Sequence, residues 1–189
     1  MVRKFKKDSL IKRIFKGIGY HIAGEIMSAF LVITMIVLTA KMDVAWIKII
    51  AAVFTQIIVL GLFFNWAHNA AKADRDAVKF HKQPYDKLMP LKMALGGPII
   101  SYVSIIALIL SKCGVISDIF NVYLLLNLHT VPAVDAFTDG RTLEFLTVPG
   151  LLGLLLLVLL QPLTVVLTYI LTYNDVDVIT KIMYNNDKK

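Results

Sequence analysis

The chain lacks most of the residue patterns that build a recognisable site. It has a single cysteine, Cys113, among 189 residues. An intramolecular disulfide is therefore excluded, and so is a cysteine-rich metal centre. No Walker A loop, no G-x-S-x-G and no H-E-x-x-H occurs. The paired-glutamate motif of an intramembrane protease is missing, as is the aspartate-rich motif of phosphatidyl alcohol transferases. These absences argue against an enzyme and imply no cofactor and no metal. There is no internal repeat and no low-complexity tract. The apolar runs do not alternate with period two, which removes the strand pattern that a β-barrel needs.

What the chain does have is apolar length. Its hydrophobic content is 58% and its mean hydropathy +0.73, above the balance of an ordinary soluble domain. The excess sits in four runs, at 22–40, 44–67, 91–110 and 148–173. About 20 apolar residues cross a hydrocarbon core about 30 Å thick, and inside lipid only a helix satisfies its own backbone without closing a barrel. The expected fold is an all-α integral membrane protein with four transmembrane helices.

The 20 Lys and Arg set the expected orientation. They cluster before the first run, between the second and third, and after the fourth. Only Lys41, Lys48, Lys112 and Arg141 fall on the other side. Cytoplasmic loops carry such an excess, which predicts both termini inside, in a cell membrane with an anionic inner leaflet as partner. The net charge of +7 is then explained without nucleic acid. The basic start resembles a signal peptide, but the apolar stretch after it is too long and no small-residue cleavage site precedes Lys41. A retained first span is expected.

Residues 1–20 read as a basic cytoplasmic arm, 21–173 as the membrane domain and 174–189 as a tail. Within the arm, Leu10, Ile11, Ile14, Phe15 and Ile18 share a helical face opposite Lys12, Arg13 and Lys16, so an amphipathic helix on the leaflet is expected. Lys41-Met42-Asp43 reads as a tight external turn. Lys48 is expected to snorkel outward. Span two has no Gly or Pro from Leu62 until Pro84, so its helix should project into the cytoplasm to about Lys82, with Trp66 as an interfacial anchor. Asp76 can pair there with Lys72 or Lys79.

Gly96-Gly97-Pro98 predicts a kink and close helix approach in span three. The external loop at 111–147 holds a mostly apolar stretch, 115–128, too short for a comfortable span; it reads as interfacial or re-entrant, with a fifth span as the alternative. Asp139-Gly140 reads as a turn. Pro149 suits the first turn of span four, and the tail can form a short helix around Val178–Met183.

Few residues are candidates for function. Glu25 lies about one turn inside span one; an ionisable group there signals function by default, although water or a local partner could satisfy it. Gln56, Ser101 and Gln161 fall at matching mid-span depths. They are either hydrogen-bonding glue or a transport path, and Gln56 is expected to meet Gln161. His68, Asp74, Asp76 and His81 follow span two on its cytoplasmic extension. Their spacing fits no standard ligand motif, so solvated ion pairing is the plain expectation.

The cytoplasmic segment carries Trp66, Asp74-Arg75-Asp76, Val78-Lys79-Phe80, Tyr85-Asp86-Lys87 and Leu91-Lys92 before a Gly- and Pro-bearing span. With Pro162, Tyr169 and Ile182-Met183-Tyr184 it resembles an uncharacterised family of small multi-pass membrane proteins of clostridial-type bacteria, over about half the chain. The resemblance implies a multi-pass bacterial inner-membrane protein and carries over no activity and no functional residue. Three functions fit the sequence. The first is a non-enzymatic subunit or accessory of a membrane complex, docking a membrane-protein partner through its basic loop. The second is a small permease or channel, as a homo-oligomer. The third is a lipid-active membrane enzyme built on His68 or His81 with Asp74 or Asp76.

Overall fold

Runs of Leu, Ile and Val without two-residue alternation form helices, and the computed structural model is all-helical across the residues it describes, 8–39, 45–137 and 142–175. Long α1 (Leu10–Thr39) and α2 (Ala45–His81) precede short α3 (Met89–Gly96) and α4 (Ile99–Lys112). A 3-10 turn (Leu128–Thr130) joins α5 (Phe120–Leu126) to α6 (Val131–Phe137), and α7 (Val148–Tyr173) closes the bundle. Among the described residues, three segments are long and apolar enough to cross a membrane: Leu10–Met35, Trp46–His81 and Val148–Tyr173. Their outward faces keep large apolar side chains exposed, among them Phe30, Ile33, Phe54, Ile57, Leu156 and Leu163. Such a continuous apolar surface marks contact with lipid or with another chain.

The turn expected at 41–43, the Asp139-Gly140 turn and the tail helix around 178–183 lie outside the described residues. The expected separate amphipathic helix does not occur: α1 runs unbroken from Leu10 to Thr39. Its start is fixed locally. Ser9 Oγ accepts from the Lys12 N–H at 3.4 Å, and Lys12 and Lys16 both pair with Asp8, Lys12 at 2.7 Å. Those hydrogen bonds hold the Asp8 carboxyl down to about 2.

α1 and α2 form an antiparallel pair, and α7 packs along α2. The end of the bundle near Leu10 and Tyr173 is called lower here, and that near Thr39 and Val148 upper. α2 is about 55 Å long at 1.5 Å per residue and ends where Lys82 takes a left-handed φ of 51°. The lower core gathers Val59, Phe63, Trp66, Met93, Val165 and Tyr169. Trp66 is thus a core residue rather than an interfacial anchor. Glycine makes this possible, because the Trp66 ring lies where a Cβ on Gly17 or Gly97 would stand, 2.7 and 2.5 Å away. Only hydrogen at both positions lets α1 and α3 close over the indole.

The expected kink is present. α3 and α4 meet at 54° across Gly97-Pro98. Pro98 has no N–H to offer the Ala94 carbonyl four residues back; Tyr102, one turn into α4, donates its hydroxyl there instead, at 2.7 Å.

The segment after α4 does not lie flat on the bundle. α5, the 3-10 turn and α6 enter it. Phe120, Tyr123 and Leu124 join Val131 and Val134 in an upper core against Ile105, Leu108, Leu154 and Val158. The tip of this hairpin, residues 127–130, reaches the interior and is fully buried at Asn127, His129 and Thr130.

Candidate functional site

A 3-10 turn between two seven-residue helices leaves backbone groups without intrahelical partners, and in an apolar interior each needs one. Side chains from two helices and from the turn itself supply them, and two further helices hold the turn's side chains. Glu25 of α1 accepts the His129 N–H at Oε2, 3.1 Å away. Thr55 of α2 donates to the His129 carbonyl at 2.8 Å. Ser104 of α4 receives Asn127 Nδ2 at 2.7 Å, and Thr130 donates to the Asn127 carbonyl at 2.7 Å. Gln161 of α7 faces the His129 ring.

The imidazole of His129 is the hub. Its Nδ1 lies 2.6 Å from Glu25 Oε1, and its Nε2 lies 3.3 Å from Gln161 Nε2. With the proton on Nδ1, the ring donates to the carboxylate and accepts from the amide. With both nitrogens protonated, Gln161 serves equally by rotating its amide, so that its buried, unpartnered Oε1 accepts instead. His21, one turn before Glu25, brings its Nε2 to 3.6 Å from Glu25 Oε1, beyond hydrogen-bond reach, and neither of its ring nitrogens has a hydrogen-bond partner. It is 1% exposed, and Glu25 7%.

The site lies deep. Glu25 stands about 21 Å along α1 from either end, Thr55 about 15 Å from the upper end of α2 and Gln161 about 20 Å from the upper end of α7. This corrects one expectation: Glu25 is not near a helix end, because α1 begins twelve residues before span one was expected to. A local partner is present in His21, 3.6 Å away, but the nearer one is His129, 104 residues along the chain and 2.6 Å away. Gln56 and Gln161 are both buried, yet they bond to different groups. Gln56 donates to the Leu157 carbonyl at 3.2 Å, while Gln161 goes to His129. Ser101 is buried with its hydroxyl unpartnered.

A second polar cluster closes the lower end. Arg13 and Asp74 form a bidentate pair, Nη1 to Oδ2 at 2.6 Å and Nη2 to Oδ1 at 2.7 Å, and Tyr169 donates its hydroxyl to the same carboxylate. One contact thereby ties α1, α2 and α7. Asp74 is fully buried and Arg13 3% exposed, which overturns their reading as solvated or leaflet-facing charges. Tyr85 from the 82–88 loop stacks on Tyr173 with centroids 4.0 Å apart. Burial there raises its phenol, aided by Tyr173, Asp74 and Asp86.

The other candidates at the lower end of α2 go elsewhere. His68 reaches Thr172 Oγ1 at 3.1 Å. Asp76 is half-exposed, 3.9 Å from Arg75 Nε rather than paired with Lys72 or Lys79, and Arg75 pairs with Asp175. His81 is exposed at the end of α2. These four residues do not share one site, and among the described residues no three His, Cys, Asp or Glu are arranged to hold a metal ion.

Among the described residues, cavities open between helices, and two of them bear on these groups. One of about 370 Å³ lies between α1 and the α4–α5 side, with His21 and Glu25 in its wall. The other, about 690 Å³, lies between α2 and α6–α7 and includes Gln56.

His129, Asn127, Thr55, His21 and Arg13 are participants that sequence reasoning missed. Asn127-Leu128-His129-Thr130 did carry a signal: three hydrogen-bonding residues at the end of an apolar stretch too short to span. Compared with known protein families, curated proteins and solved structures, the chain matches none.

Proposed function

We propose that the protein is a small permease of the cell membrane, with Glu25 and His129 as a proton-binding centre. The observation that carries this reading is the buried Glu25–His129 pair, which has His21 and Gln161 around it and a cavity alongside. Ionisable groups inside a membrane are costly and are kept where protons, ions or substrates pass. A merely structural hydrogen bond to the 127–130 turn needs a hydroxyl or an amide; it does not need a carboxylate and two imidazoles.

In this reading α3 and α4 together make the fourth span, broken at Pro98, and both termini face the cytoplasm. The excess of Lys and Arg at the lower end supports that orientation. The α5–α6 hairpin re-enters from outside and delivers His129 to the middle of the bilayer. Backbone departing from a regular helix at that depth is tolerated where protein buries it or where it lines a cavity. The Arg13–Asp74–Tyr169 cluster closes the cytoplasmic end in the conformation described, about 18 Å from Glu25 along α1.

Reconstitution into liposomes under an imposed pH gradient tests the proposal. With membrane voltage clamped, solutes of cationic, anionic and neutral classes are added in turn while internal pH is followed. At least one class should dissipate the gradient in wild type, and Glu25→Gln should abolish that response. If no class produces a Glu25-dependent change over empty liposomes, the permease reading falls.

A further inference from the structure

The 370 Å³ cavity has a wall of one chemistry and a floor of another. Ile26, Ala29, Phe30, Ile100 and Leu125 line it with hydrocarbon, and Ile26, Phe30 and Leu125 are themselves widely exposed on the lipid-facing surface. Among the described residues that line it, His21 and Glu25 are the ionisable ones. We propose that this groove is a binding site for a lipophilic primary ammonium, reached sideways from the bilayer. The proposal rests on the permease reading and names its substrate class.

The argument is one of unfilled capacity. A carboxylate has about four acceptor sites, and His129 occupies one on each Glu25 oxygen. His21, buried beside the same cavity, makes no hydrogen bond and stands 3.6 Å from Glu25 Oε1, so as a neutral ring it can turn an acceptor nitrogen toward a shared donor. An ammonium carries three donors and can meet both groups at once. Other classes of ligand fit less well. No Lys or Arg is among its described lining residues, so there an anion finds no counter-charge and meets the Glu25 carboxylate. A purely apolar ligand leaves the open acceptor sites of Glu25 unfilled, at a cost of about 1–3 kcal/mol. The cavity is at the small end of the range of about 300–1,000 Å³ typical for small-molecule sites, which suits a compact head and a short tail. The exposed flank of Phe30 and Ile33 continues the apolar track outward, so a tail can lie along α1 among the acyl chains.

Nanodiscs holding the full chain, with empty nanodiscs as the partition control, decide the matter. The probes are radiolabelled phenylbutylamine, its N-acetyl derivative and phenylbutyrate, which share one tail and differ in head charge. Only the amine should bind saturably. Glu25→Gln should weaken it about tenfold or more, as expected for a hydrogen bond to a charged group. Ala29→Trp, which fills the groove one turn along α1 while leaving both residues of the Glu25–His129 pair in place, should abolish binding, and it keeps the test intact should Glu25→Gln fail to fold. Equal binding of the acetylated probe, or amine binding unchanged in Ala29→Trp, overturns the proposal. The two readings fail separately. Amine binding without any Glu25-dependent proton movement defeats the permease and leaves the site. Proton movement with other solutes and no amine binding defeats the site and leaves the permease.

Discussion

At the residue scale the two polar clusters differ in what holds them. Arg13 and Asp74 are both charged and buried, with fork-to-fork geometry. Removing one partner of such a pair strands the other, at a cost of about 3–5 kcal/mol, whereas replacing both by apolar groups can be neutral. Thermal unfolding in detergent should therefore show a large loss for Asp74→Ala and for Arg13→Ala. The double variant Arg13→Met/Asp74→Leu should recover most of it. A double variant as unstable as the singles together would deny the pairing. Neither residue advertised this role. Arg13 falls among Lys12 and Lys16 on a face that reads as basic, and Asp74 falls among Arg75 and Asp76 in a segment that reads as solvated. A charge's burial depends on what packs over it, here Tyr169 from a helix 95 residues away. Glu25 was legible as unusual, because a carboxylate in an apolar run is conspicuous. His129 was not, because nothing local says that a turn after a short apolar stretch will be inserted into the bundle.

At the element scale, length and punctuation did most of the explaining. The Gly-free, Pro-free stretch after Leu62 is helical to His81, and Gly97-Pro98 bends α3 against α4. The glycines themselves are not equivalent. A Cβ at Gly97 would stand 2.5 Å from the Trp66 ring, whereas one at Gly61, within α2, would meet nothing within 4 Å. Gly97→Ala should thus cost about 1–3 kcal/mol through overpacking, while Gly61→Ala should leave stability unchanged or slightly raised through better helix propensity. Melting temperatures of the two variants measured side by side check this; equal values would remove the close approach of α1, α2 and α3 as an explanation for the glycines.

At the scale of the whole molecule, charge placement makes a topological prediction. Cys113 is the single cysteine of the chain and is exposed at the end of α4, on the side that is poor in Lys and Arg. In intact cells a membrane-impermeant maleimide should label Cys113 from outside. A Cys113→Ser variant carrying Ser9→Cys, at the start of α1, should be labelled only after permeabilisation. Labelling in the opposite sense would invert the orientation and with it the cytoplasmic placement of the Arg13–Asp74–Tyr169 closure.

The sequence by itself determined the helical character, the apolar lengths, the bend at Pro98 and the asymmetry of charge. These follow from covalent facts: the number of consecutive apolar residues, the missing proline N–H and the sign of each side chain. Tertiary structure alone decided which polar residues meet. Glu25 and His129 are 104 residues apart, Thr55 and His129 74, and Arg13 and Asp74 61, and no local pattern encodes such a pairing. It arises because a buried polar group needs a partner wherever the fold happens to offer one, and that offer exists only once the helices have packed and the α5–α6 hairpin has gone in.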